Sequence, residues 1–331
     1  MSEPSAPGNG ITLTADEALA LGVRALQRIG YSDEESRVIA AHLVDAALCG
    51  YPALGLPRIL TVAEHPRTKE PRRAMRIVHE TPCSALIDGG NYVGFYACHR
   101  AAEIAIEKAR ASRFAVVGLH NSFLSGRNAY YLEMISRAGF AGMQTACGAP
   151  VVVPFGGAAP ALGTNPIAFA LPGDPHPFIF DMSTATTNYG DVILAKRLGE
   201  KLPEGLAVDA RGLPTTDPAA ALAGGILTFG GHKGYGLSVT IQALGLLAGA
   251  AIPRGQVQDF AFLFVVFDPE LLVPREQFKR QLAELLLRIR SAPRQPGVAE
   301  IRIPSERAFA ERERRRREGI VLERSLYERL N

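Results

Sequence analysis

The sequence predicts a mixed α/β fold, and three observations carry that expectation. Helix-like and strand-like segments follow one another without the strict alternation of a doubly wound parallel sheet. Two amphipathic helices open the chain and charged helices close it, with most of the strand-like segments between them. The G-x-G-x-x-G fingerprint of a dinucleotide-binding parallel sheet and the G-x-x-x-x-G-K-[ST] phosphate loop are both missing. So are H-E-x-x-H and G-x-S-x-G, which disfavours a zinc protease and a serine hydrolase.

Composition narrows the class of protein. The chain has 331 residues, 47% of them hydrophobic and 21% charged, enough for a sizeable core in two lobes. A formal charge of +3 gives no reason to expect nucleic acid or a membrane surface. The opening "MSEPSAPGNG" has no apolar core of a secretory signal. The longest apolar stretch, "LSVTIQALGLLAGAAI" (237–252), is short for a membrane span and carries Ser, Thr and Gln, so it reads as a buried helix. The four cysteines, Cys49, Cys83, Cys98 and Cys147, show no C-x-x-C spacing. They read as reduced thiols of a cytoplasmic protein, with no metal site and no disulfide framework.

The elements follow in order. Residues 1–12 read as a flexible lead. "TADEALALGVRALQRIG" starts with Thr14 and Glu17 at capping-box spacing and stops at Gly30. "SDEESRVIAAHLVDAALCG" repeats the device with Ser32 and Glu35 and stops at Gly50. "PRTKEPRRAMR" (66–76) is a solvated connector. "SALIDGG" then reads as a strand, 94–112 as a helix and "FAVVGLH" (114–120) as a buried strand. A helix near 127–138, a strand near 140–147 and two strands in "NPIAFALPG" and "PFIFDMS" come next. Residues 233–250 form a buried helix, "AFLFVVFDP" a strand and 275–290 a helix. The tail "SERAFAERERRRREGI" is a helix whose mixed Glu and Arg content suits a solvated, salt-bridged face rather than a nucleic-acid arm.

Two glycine-rich segments, "PFGGAAPALGTNP" (154–166) and "FGGHKGYG" (229–236), can bring backbone N–H groups close to an anion. His232 and Lys233 precede a helix, where the dipole repels cations unless an anion lies between them. A tight turn with an exposed lysine fits the same residues equally well. Asp181 ends an apolar strand, where ligand groups often sit, but a cap for the helix that follows suits it better on its own.

The combination "VVVPFGG…LGTNPIAFALPG…FDMSTA…PTTDPAAALAGG…GGHKGYGL" resembles the malate/L-lactate dehydrogenase family that lacks a Rossmann fold, from about residue 11 to 325. The resemblance implies a homodimer, a largely antiparallel sheet, and NADH or NADPH as cofactor. It implies a cofactor domain over 79–251, and a second lobe made of 1–78 and 252–331. The nucleotide would contact Asp181, Met182 and Ser183, then Lys233 with His232 beside it, and Pro304, Ser305 and Glu306. The segment Gly163, Thr164, Asn165 to Pro166 would line the same cleft. The substrate would be a small carboxylate.

The match breaks at the catalytic positions. The family stretch resembling "R-G-x-x-S-H-G-x-x-R" is "CGYPALGLPR" here (49–58), with Ala53 for Ser and Leu54 for His. Gly50, Gly55 and the carboxylate-binding Arg58 fit. The second stretch, resembling "N-S-x-H-x-G-x-x-x-Y-Y", is "NSFLSGRNAYY" (121–131), with Leu124 for His. Gly148 stands where Ser or Thr is usual, Asp191 for Lys and Gln242 for Glu, and the loop before the last strand is cut to "IPRGQVQDF" (252–260). Ketone reduction needs a proton as well as a hydride, and a placed acid is worth roughly 10²–10⁴ in rate. An iminium already carries its proton. The sequence therefore suggests an NAD(P)H-dependent reductase of a carboxylate-bearing cyclic imine or 2-oxo acid, with a repurposed or inactive binding protein as the other reading. His120 and Tyr130 are the candidate replacement proton donors, although a histidine after an apolar strand is more often structural and Tyr130 and Tyr131 suit a packed helix face.

Overall fold

The computed structural model describes residues 10–252 and 260–331. The first nine residues of the expected lead and most of the shortened loop lie outside that range. Two compact units emerge, one from the residues up to Lys69 together with Glu306–Asn331, the other from Glu70–Ser305. The expected division gave everything after 252 to the helical lobe. In the structure only the segment from Glu306 joins it, because the strand at 261–267 is built into the middle of the large sheet.

The helical unit starts with strand β1 (Gly10–Leu13), so residues 10–12 are not part of a loose lead. Helix α1 (Ala15–Arg28) and helix α2 (Asp33–Leu48) follow. Both capping boxes form: Thr14 and Ser32 each accept the N–H of the residue three on, and Glu17 and Glu35 return a carboxylate to the cap N–H. The patch after α2 makes a 3₁₀ turn at Pro52–Leu54, and Pro57 then opens helix α3 (Arg58–Glu64). Proline is pre-shaped for a helix start, which places Arg58 in the first turn.

The second unit holds a seven-stranded sheet. Its strands are β2 (Arg76–Thr81), β3 (Ser84–Asp88), β4 (Phe114–His120), β5 (Ala141–Cys147), β6 (Ile167–Leu171) and β7 (Phe178–Met182), joined later by β11. Helix α4 (Gly94–Ser112) precedes β4, α5 (Asn128–Arg137) precedes β5 and α6 (Tyr189–Leu198) follows β7. Short strands β8 (Ala207–Val208), β9 (Pro214–Thr215) and β10 (Gly225–Ile226) make a three-stranded sheet with α7 (Pro218–Ala223) beside it. Helix α8 (His232–Leu247), strand β11 (Ala261–Phe267) and helix α9 (Arg275–Arg290) complete the unit.

The large sheet runs β2-β3-β4-β11-β5-β6-β7, antiparallel throughout except for β3 beside β4. One face carries α4 and α5: Gly142 of β5 lies under Leu132 and Ile135 of α5. The other carries α8: Gly118 of β4 lies against Ala248, and Cys147 of β5 against Gly245. These close approaches leave no room for larger side chains, which fixes the helices on the pleat.

The chain then returns to the helical unit through α10 (Glu306–Glu318), β12 (Ile320–Glu323) and α11 (Arg324–Leu330). Strand β12 pairs antiparallel with β1. Outer residues of α10 do form exposed pairs, such as Arg314 with Glu311 and Arg316 with Glu313. The helix is not wholly solvated, however. Arg312 is buried against Asp45 of α2 at 3.0 Å, beside Ala308 and Phe309. Its Nε also donates to Cys49 Sγ at 3.3 Å. Arg28 adds two hydrogen bonds to the carbonyls of Leu330 and Asn331.

Ser32→Ala should lower the stability of the protein by about 1 kcal/mol, because one N-terminal amide of α2 loses its acceptor. Urea unfolding followed by circular dichroism checks this; an unchanged midpoint would show that the cap is dispensable.

Candidate active site

The register of the sheet gathers the chemistry at one end. Strands β3, β4, β5 and β7 all finish there, while β11 and β6 begin there. That end carries Asp88, His120, Gly148, the segment 163–165 and Asp181 to Ser183. Of these, Asp88 drew no notice in the sequence. Its available signal was an acidic residue closing an apolar strand, the pattern that marked Asp181.

Helix α8 crosses these strand ends. Its first turn lies beyond residues 229–231, and its last residues reach β4. The N-terminus has no capping side chain and no acidic residue in its first turn. Gly230 and Gly231 precede it at φ of 57° and 61°, a region that glycine enters freely. His232 and Lys233 are both exposed, the imidazole edge-on to Phe155 at 6.3 Å. The Lys233 ammonium has no hydrogen bond or ion pair among the described residues. A helix end with no capping side chain, no acidic residue and an unneutralised cation beside it suits a bound anion, although Lys233 N already donates to the Gly230 carbonyl at 3.4 Å.

The middle of α8 is tied to the loop 163–165. Asn165 is fully buried with φ of 39°, and its Nδ2 donates to the Ser238 carbonyl (2.9 Å) and to Gln242 Oε1 (3.0 Å). Gly163 N donates to the same Gln242 oxygen at 3.3 Å. The Thr164 carbonyl in turn accepts from Ser183 Oγ at 2.9 Å and Thr184 Oγ1 at 3.0 Å. Gln242 thus collects two donors with a neutral amide oxygen. Gly148 packs on the backbone of Gly163, and a Cβ there would stand 3.0 Å from the ring of Phe260. The ring of Phe260 would have to shift by a few tenths of an ångström to admit the Ser or Thr that the resemblance suggests.

Asp181 and its neighbour Met182 face opposite ways, as residues on a strand must. Asp181 aligns with Ala168 and Gln144 on the α5 face. Its Oδ2 accepts the N–H of Ala129 at 2.8 Å, so it does cap a helix, but one 52 residues upstream rather than the next. Burial pushes its pKa up, against the Ala129 N–H, the charge of Arg127 and the Asn128 N–H. Ser305, with φ of 69°, donates from Oγ to the Ile179 carbonyl of the edge strand β7 at 2.7 Å; Pro304 next to it is exposed. Glu306 opens α10 in the helical unit.

The two candidate proton donors do not meet. Tyr130 lies on α5 and packs against His99 of α4 (6.3 Å) and Tyr131 (5.7 Å). His120 lies on the α8 face, since Gly249 sits against its ring. The sheet separates them. Tyr131 packs as expected, fully buried with its hydroxyl 2.8 Å from the Ser125 carbonyl. Leu124 is buried at φ of 61°, a strained backbone for leucine worth about 1–3 kcal/mol. In the helical unit, Ala53 and Arg58 are buried and Leu54 is half-buried.

His120 is 3% exposed, and neither ring nitrogen has a hydrogen-bond partner among the described residues. Its pKa is held below 6.5, chiefly by burial; Asp88 pulls upward and Arg76 downward. Burial works to raise Asp88, but hydrogen bonds from Asn121 (2.7 Å) and Gly90 N (2.9 Å), with the charges of His120 and Arg76, leave its pKa lowered.

An antiparallel-rich mixed sheet with no G-x-G-x-x-G sets the fold apart from the Rossmann class. Comparison with known proteins identifies the family. The malate/L-lactate dehydrogenase family matches residues 13–331, and the chain belongs to that family. Δ1-pyrroline-2-carboxylate reductase of Pseudomonas fluorescens is 34% identical over 337 residues, covering 96% of this chain and 97% of its own. Ureidoglycolate dehydrogenase (NAD(+)) of Escherichia coli is 32% identical over 321 residues, covering 92% and 90%. The solved structure of sulfolactate dehydrogenase from Methanocaldococcus jannaschii superposes with a TM-score of 0.82 at 34% identity, covering 97% of this chain and 95% of that one.

The lowered pKa of His120 has a sign that can be tested. Between the folded pKa and 6.5 the unfolded chain binds the extra proton, so stability is full above 6.5 and is lost as pH falls through that window. His99, lowered chiefly by burial, acts in the same direction. Denaturation midpoints from pH 7.5 to 5 should therefore fall, and His120→Gln should flatten the decline. A variant with the wild-type slope would remove His120 from that balance.

Proposed function

We propose that the protein is an NADH- or NADPH-dependent reductase of a carboxylate-bearing cyclic imine or 2-oxo acid, working as a cytoplasmic homodimer. The observation that carries this is the uncapped N-terminus of α8 with Lys233 unneutralised beside it. A dinucleotide diphosphate supplies the anion that such an end lacks. The residues present fit that group: Lys233, the start of α8 and His232 would hold the diphosphate. Gly163, Thr164 and Asn165 line the adjoining cleft, and Ser183 braces Thr164. Met182, Pro304, Ser305 and Glu306 are the further nucleotide contacts. Asp181 positions α5 and the start of the 182–184 turn.

When bound, the reduced nicotinamide supplies two electrons and a hydrogen to the carbon of C=N or C=O. The chain's own task is to orient the substrate and handle charge. Arg58 forms a bidentate pair with the substrate carboxylate. With Leu54 and Leu124 at the family's histidine positions, a protonated imine is the substrate that makes the smallest demand on the site, and the relative that reduces Δ1-pyrroline-2-carboxylate supports that class. The buried Ala53 and Leu124 favour a second reading, a family member that has kept the framework and lost the redox reaction.

Calorimetric titration with NADH and NADPH tests the first reading directly. Binding of one of them is expected, and Lys233→Ala should weaken it about ten- to a hundredfold, the worth of a charged hydrogen bond. No binding of either at millimolar concentration would sink the proposal and leave the second reading.

The homodimer is supported by an uncovered apolar stripe on α8. Val239, Leu246 and Leu247 are exposed, Leu247 by 74%, and no charged residue occurs on the helix after Lys233. Leu247→Arg should turn a dimer into monomers in light scattering. A dimer that survives the change would move the interface elsewhere.

A further inference from the structure

Position 124, which the resemblance assigns to a histidine, is leucine, and an imidazole stands instead at the end of β4, that of His120. We infer that His120, with Asp88 as its positioning partner, is the group that gives and takes the substrate proton in this protein. The inference rests on the oxidoreductase reading above.

Four observations carry it. His120 ends β4 and Asp88 ends β3, and the two are register partners on the same face of the only parallel pair in the large sheet. Asp88 is oriented from two sides, by Asn121 Nδ2 and by Gly90 N, with Arg76 at 3.4 Å on its other oxygen. Room for the imidazole has been made: Gly249, at φ of 91°, lies where a Cβ would come within 2.6 Å of the ring. Finally, both ring nitrogens are buried without a hydrogen-bond partner among the described residues. Leaving such a group unpaired is costly, and a buried polar group without a structural bond is a candidate for chemistry.

The groups facing the ring are few. Among the described residues, Asp88 of β3 and Arg76 of β2 are the charges acting on it, and Gly249, just past the end of α8, packs on it without a charge. The C-terminal end of a helix favours an imidazolium, as Asp88 does. The strand end of Cys147 lies two strands away, about 10 Å by the spacing of a sheet.

The chemistry balances. Reduction of a 2-oxo acid adds two electrons and a hydrogen at C2 from the reduced nicotinamide and one proton at the carbonyl oxygen. Protonated His120 gives that proton and becomes neutral imidazole, and water reprotonates it. In the reverse direction the neutral ring takes the hydroxyl proton. A protonated cyclic imine needs no such proton, so His120 separates the two substrate classes.

The test uses the full-length protein with NADPH or NADH and two kinds of probe, 2-oxo acids (pyruvate, oxaloacetate) and Δ1-pyrroline-2-carboxylate. At least one 2-oxo acid should be reduced, with kcat/KM falling as pH rises through the imidazole pKa. His120→Gln should lower that kcat/KM about 10²–10⁴-fold and affect the imine much less. Asp88→Asn should move the pH limb downward, and histidine NMR of the cofactor-free protein should show the same shift in one imidazole resonance. Cofactor affinity of His120→Gln, measured by calorimetry, controls for folding. Reduction of the imine alone, of neither probe, or of a 2-oxo acid at an unchanged rate in His120→Gln would each overturn the inference. Calorimetric binding of the nicotinamide then decides separately whether the oxidoreductase reading stands.

Discussion

Everything at the candidate site depends on where strand Ala261–Phe267 is inserted. It enters the sheet late in the chain and pairs on both sides, with β4 and with β5. Without it those strands would have no common partner. Its register sets Phe262 opposite both Leu119 and Ala146, which brings the ends of β4 and β5 level. The loops after β4 and β5, the segment 163–165 before β6 and the turn after β7 then open at one edge. Its residues are buried almost throughout, so a one-residue slip would reverse every side chain and is excluded by packing.

Helix α8 imposes a direction on that edge. It lies across the strand ends with its amide end near residues 229–231 and its carbonyl end at His120. The partial charges of a helix make the first end attractive to anions and the second to cations. The exposed Lys233 stands at the first end and the buried imidazole of His120 at the second. Between them, Asn165 and Gln242 lock the helix to the loop it crosses, and their amides do so without adding a net charge to the edge.

Much of this was readable from the residues. The two capping boxes, the buried strands and the helices at 94–112, 233–250 and 275–290 announce themselves by caps, periodicity and apolar runs. The short strands did not. β8, β9 and β10 have two residues each, too few for any period to show, and β2 is an exposed edge strand whose polar residues hide it among the connector. β1 looked like loose lead because its partner, β12, comes some 300 residues later. The same limit applied at the site. Asp181 had the signature of a cap, yet the helix it caps was beyond local reading. Asp88 gained meaning only when β3 was seen beside β4. At 49–58 and 121–131 the sequence shows leucine at positions 54 and 124, a difference that is visible only against the resemblance.

The pairing of Gly10–Leu13 with Ile320–Glu323 has a consequence for biosynthesis. The helical unit needs residues from both extremes of the chain, including Arg312 against Asp45. A ribosome delivers those extremes at opposite times. The sheet unit is continuous and can close while translation proceeds, but α1 and α2 must wait, with part of their apolar surface bare, until the last strand emerges. Sequence order thus makes the helical unit the last to be completed.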